Sequence, residues 1–156
     1  MDRHPAPEAG DDHVPMTSEE RNTWLYAILV PVTSLAYFAV VVPRLFEQPA
    51  SEVSWVGPML WAVGASFAGS IVGSVLLGVT ARSAEAAPDV RDREIERHGD
   101  RIAQAITAFG AAAVLALAML EADHFWIGNA LFLIGAVGAT WGAVAKIRAY
   151  RGAFHG

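Results

Sequence analysis

The sequence predicts an all-α polytopic membrane protein, a four-helix transmembrane bundle. Three observations predict it. Of 156 residues, 54% are hydrophobic and 17% charged, where a soluble domain carries about 25% charged residues. The apolar residues gather in four long blocks, which lack the polar outer face of a soluble helix bundle. Each block holds 19–25 residues without a charge. As a helix it reaches about 28–37 Å, enough to cross a hydrocarbon core of about 30 Å. A bilayer offers no partner to an exposed amide, so a block of this length must be helical.

Residues 1–16 carry Asp2, Glu8, Asp11 and Asp12 among Pro5, Pro7 and Pro15. They read as a disordered acidic tail, not as a signal peptide, which needs a basic start followed at once by an apolar run. A four-span membrane domain follows over residues 17–147, and 148–156 form a short tail. Thr17 and Glu20 have capping-box spacing and predict a helix start. The first span covers about Trp24–Val42, and Pro31 removes one of its backbone bonds, which predicts a mild kink. The second covers Trp55–Val79, the third Ile102–Leu120 and the fourth Phe125–Val144. Trp24, Tyr26, Trp55 and Trp126 stand near span ends, where amphipathic rings favour the interface.

The basic residues set an orientation. Arg3, Arg21, the five arginines of loop 80–101, Lys146, Arg148 and Arg151 fall on one side, and Arg44 alone on the other. The positive-inside bias therefore places both termini and loop 80–101 in the cytoplasm. Net charge is -5, which disfavours a nucleic-acid partner. The absence of cysteine excludes disulfide scaffolds, thiol catalysis, thiolate metal sites and iron–sulfur clusters.

In loop 80–101, Pro88 and Asp89 predict a helix start. Asp89/Arg93, Glu94/Arg97 and Arg97/Asp100 have helical pair spacing, and Gly99 predicts a bend before the third span. Five arginines against six acids leave the loop nearly neutral, which argues against a polybasic lipid-binding patch. The plain reading is a solvated helix that sets orientation. The functional reading is a docking surface for a partner, built from Asp89, Arg91, Asp92, Arg93, Glu94 and Arg97.

The run Asp89-Val90-Arg91-Asp92-Arg93-Glu94-Ile95 resembles the Asp-Glu-Arg-Asp-x-x-Ile signature of the DUF2178-like small multi-span prokaryotic membrane proteins. The likeness covers this loop and, loosely, the two spans after it. Val90 departs from the Glu usual in that family. Some members are similar to proteins found beside small helix-turn-helix regulators, so the resemblance implies a regulatory or sensing role.

At an offset of 71, Trp55–Ala68 lies over Trp126–Ala139 with six of 14 positions identical. A true repeat makes two parallel hairpins about an axis along the membrane normal; the competing reading is chance, because membrane sequences draw on few residue types. Small residues predict close helix packing through Gly64, Gly69 and Gly73 in the second span and Gly135, Gly138 and Gly142 in the fourth, within the chain or between copies.

No span interior holds an ionisable residue, which argues against a proton-coupled pump or a small multidrug exporter. No span holds a histidine either, so a haem held by two histidines is excluded, and Ser66 has no base in reach. Glu121, Asp123 and His124 in the third loop are the only candidate metal ligands, against the plain reading of a polar turn. Gln104, Thr107, Asn129 and Thr140 are expected to bond across helices. These readings add up to a non-enzymatic accessory or regulatory protein without a cofactor, in the plasma membrane of a bacterium. Its expected partners are the lipid bilayer and a cytoplasmic or membrane protein. The alternative is a passive transporter or pore subunit acting as a homo-oligomer.

Overall fold

The computed structural model describes residues 18–81 and 90–153. The acidic tail, the Thr17 cap, the helix start at Pro88 and Asp89, and residues 154–156 lie outside the described residues. Four helices dominate: α1 (Ser18–Val41), α2 (Val56–Ala81), α3 (Val90–Met119) and α4 (His124–Arg148). Each contains a stretch long and apolar enough to cross a membrane. The chain is therefore an all-helical, multi-pass membrane protein with a four-helix bundle.

The four helices sit in the order α2, α1, α4, α3. Helix α1 packs on α2 and α4, and α4 packs on α3, while α2 and α3 scarcely meet. The bundle is thus an open row, and its two outer helices expose apolar side chains such as Trp61 and Phe67 on α2 and Phe109 on α3. In water such a surface is unfavourable; in a bilayer it faces lipid chains.

Each contact has its own chemistry. Between α1 and α2, a Cβ added at Gly69 would lie 3.0 Å from Leu29 Cδ2, and one at Gly73 would lie 2.5 Å from Leu25 Cδ2. One step further along, the Thr33 and Ser66 hydroxyls share a short hydrogen bond. Leu25, Leu29 and Thr33 recur every four residues, so one face of α1 runs down the small-residue face of α2. Between α3 and α4, a Cβ at Gly142 would lie 3.0 Å from the Gly99 carbonyl oxygen, and one at Gly138 would lie 3.3 Å from the Ala103 carbonyl oxygen. The two backbones are nearly in touch there.

Gly64 and Gly135 are different. Among the described residues nothing lies within 4 Å of a Cβ built on either, so neither marks a close helix approach there. Gly64 lies about 140° around α2 from Gly69, off the contact stripe, whereas Gly135 shares the face of Gly142 and opens onto a gap lined by Tyr26, Val30 and Phe67. Gly99 also differs from expectation. It does not bend the chain: α3 runs unbroken from the charged segment through the third span. Its missing side chain serves the close approach of α4 instead.

The end of the bundle away from the charged segment holds the core of the molecule. Tyr37, Val41, Val53 and Phe125 are buried there, with Phe38, Trp55, Met59 and Phe132 packed against them. Tyr37 donates to Asn129 Oδ1 at 2.7 Å, and Asn129 Nδ2 donates to the Phe125 carbonyl at 2.8 Å. The Tyr37 ring meets Phe132 at 4.9 Å and Phe38 at 5.0 Å, both edge-on. Two short 3₁₀ turns, Val42–Phe46 and Ala50–Glu52, close this end, and Arg44 Nη1 donates to the Ser54 carbonyl at 2.7 Å.

Asn129 thus bonds across helices as expected. Thr107 and Thr140 do not: their hydroxyls donate to the Ala103 and Ala136 carbonyls of their own helices. This back-bonding satisfies each hydroxyl within its own helix, although Thr107 Oγ1 lies against α4, 3.0 Å from a Cβ built at Gly138.

Candidate functional site at the charged end

Two ends of the molecule carry polar chemistry. The first is the α3–α4 turn with Glu121, Asp123 and His124. These residues do not converge: among the described residues no group of three metal-ligating side chains could hold an ion. Helix capping accounts for two of them. Glu121 adopts a positive φ of 55°. Its amide donates to the Ala118 carbonyl, and the Ala122 amide reaches back to the Leu117 carbonyl. This is a Schellman ending of α3 with Glu121 in the left-handed position that glycine usually fills. Asp123 is the N-cap of α4 and accepts from the Phe125 amide at 2.8 Å.

The second is the charged end, where residues 90–101 of α3 extend beyond the third span. One side of this extension is committed to the molecule. Ile95 is fully buried and Asp92 is 8% exposed. Gly99 lies on the α4 backbone. Lys146 Nζ sits 2.9 Å from Asp100 Oδ1 and 3.4 Å from Glu96 Oε1, which ties the extension to the end of α4. Beyond α4 a single π-type turn, Ala149–Ala153, places the Arg151 guanidinium 4.9 Å over the Trp24 ring. That cation–π contact binds the end of the chain to α1.

The other side is open. Arg93, Glu94, Arg97, His98 and Arg101 are exposed on α3, as is Arg148 on α4. Among the described residues, Arg97 forms an ion pair with neither Glu94 nor Asp100, because Asp100 turns to Lys146. Glu94, Arg97, His98 and Arg101 line one shallow groove. His98 also lines a second groove of about 370 Å³, with Ile102, Trp141, Val144, Ala145, Arg148 and Ala149.

The expected docking residues therefore separate. Asp92 is buried and unavailable to a partner. Arg93, Glu94 and Arg97 share the exposed side. Asp89 and the Arg91 side chain lie outside what the structure describes. The sequence reading missed Lys146, whose partners are far away in the chain, and Arg148 beside His98. The signal within reach was the lone lysine of the chain, placed at a span end with no local acid. Comparison with protein-family models, curated proteins and solved structures gives no match to this chain.

Proposed function

We propose that this is a non-enzymatic accessory or regulatory protein of a bacterial plasma membrane, with both termini cytoplasmic, which docks a protein partner on the cytoplasmic extension of α3. One observation carries the reading. The extension is a continuation of a membrane-spanning helix, locked to α4 by Gly99 and Lys146, yet it turns Arg93, Glu94 and Arg97 to solvent. A segment needed only to orient the spans requires neither order nor a fixed face. A pre-ordered surface loses less conformational entropy on binding than a mobile loop. The resemblance of Asp89–Ile95 to the DUF2178-like signature supports the same regulatory reading.

The test is site-specific photo-crosslinking in cells. A photoreactive residue at position 94 or 97 gives one discrete protein adduct, and the double variant Arg93→Glu/Arg97→Glu abolishes it. An adduct that survives charge reversal, or none at either position, contradicts the proposal.

A second reading, a pore or passive transporter subunit that works as a homo-oligomer, is supported by the open row. Helices α2 and α3 do not close on each other, and Gly64 and Gly135 have room for a neighbour. It requires solute flux into liposomes carrying the purified protein, reduced by Gly64→Leu.

A further inference from the structure

We infer that the groove between the ends of α3 and α4 is a binding site for the phosphate headgroup of an anionic phospholipid, held by Arg101 and Arg148. Its floor and rim differ in chemistry. Ile102, Trp141 and Val144 make an apolar floor, and these residues belong to the uncharged runs Ile102–Leu120 and Phe125–Val144. Arg148 stands at the rim. His98 joins this groove to the next, where Arg101 stands directly before the span begins. Both guanidiniums therefore meet the membrane at headgroup depth, and the groove continues from them into the hydrocarbon. A soluble anion would use the rim and leave the floor wet. A phospholipid uses both, with its phosphate on the arginines and its glycerol and first methylenes on Trp141 and Val144.

Charge supports the assignment. The extension is near neutral as a whole, but its charges are sorted by side. Glu96 and Asp100 pair with Lys146 on one side. Arg97, Arg101 and Arg148 on the other make no ion pair among the described residues. Glu94 is the one acid lining these grooves, and it lies in the outer one, about two turns above Arg101. Guanidinium is the side chain best matched to phosphate oxygens, through two parallel hydrogen bonds. The volume of about 370 Å³ is within the range of about 300–1,000 Å³ common for small-molecule sites. The inference rests on the membrane placement of the chain and is independent of any protein partner on Arg93 and Arg97.

Native mass spectrometry of the full chain in mild detergent tests it. Phosphatidylglycerol and phosphatidylcholine of the same acyl chains are titrated in parallel. The wild type retains phosphatidylglycerol in preference to phosphatidylcholine. The double variant Arg101→Gln/Arg148→Gln weakens that retention about 30-fold. Arg101→Lys/Arg148→Lys recovers most of it, which separates lost charge from lost folding. Arg93→Gln, which lines neither groove, changes it less than about 3-fold, so a failed protein-docking proposal leaves this result intact. Equal retention of the two lipids overturns the inference, as does an unaffected Gln double variant. Displacement of the lipid by millimolar inorganic phosphate also overturns it, because it identifies a soluble anion as the ligand.

Discussion

The two ends of this bundle are held by opposite means. The end farther from the charged extension is closed by aromatic packing: Tyr37, Phe38, Phe125, Phe132 and Trp55 surround one buried hydrogen-bonded pair. The charged end is closed by backbone proximity at Gly99 and Gly142 and by Lys146 between two carboxylates. Aromatic packing buries area and fixes a shape. Ion pairs with half-exposed carboxylates contribute little energy, but they decide which charges remain available. The first end therefore anchors the row of helices, and the second presents a surface. The expectation is that stability lies mostly at the aromatic end and binding mostly at the charged end.

The largest effect should come from Phe125→Ala. Its ring is 2% exposed and touches both tryptophans beside it. Removing it leaves a cavity, and the expected loss is about 3 kcal/mol in a reversible mixed-micelle unfolding titration. A loss below 1 kcal/mol would dissolve the contrast between the ends.

Next comes Gly142→Leu, which drives a side chain into the Gly99 backbone. Overpacking of this kind costs about 1–3 kcal/mol. Gly135→Leu, on the same helix with open space around it, serves as the matched control and should stay within about 0.5 kcal/mol of wild type in the same titration. Equal effects would contradict the close approach of α3 and α4 at Gly99.

The smallest effects separate the polar contacts. Tyr37→Phe removes the hydroxyl that meets Asn129 and should cost about 0.6 kcal/mol, the average for side-chain bonds between membrane helices. Lys146→Gln should cost no more than about 0.5 kcal/mol, because its partners Glu96 and Asp100 are 55% and 58% exposed. Its consequence is expected in binding: Asp100, released from Lys146, is free to meet Arg97 and neutralise the open face. Crosslinking from position 97 should then weaken although stability hardly moves.

The spans were legible because an uncharged run such as Trp24–Val42 has only one stable form in lipid. The helical character of the charged segment was legible from its pair spacing. The orientation of each face was not. Gly64 and Gly69 are equally small, and only the Leu29 side chain against one of them tells them apart. Arg97 and Asp100 are three apart and looked paired, but Lys146 on another helix captures the carboxylate. A local charge pattern cannot register a competitor brought near by tertiary structure. At Glu121–His124 the sequence offers a plain polar turn against a metal site, and the backbone supplies a reason for the polar residues. Three ligand-type residues within four positions suggest a metal, yet backbone capping by Glu121 and Asp123 accounts for two of them.

The central claim is that residues 90–101 form one rigid helix with the third span and are fixed to the bundle along one side. The chain has no cysteine, so single cysteines can be placed from Val90 to Met119 and labelled with a nitroxide in nanodiscs. Accessibility to a water-soluble relaxation agent should then oscillate with a period of about 3.6 residues across 90–101, with minima at 92, 95 and 99, before falling to a low level in the span. Uniformly high accessibility over 90–101, with order beginning only near Ile102, would contradict the account.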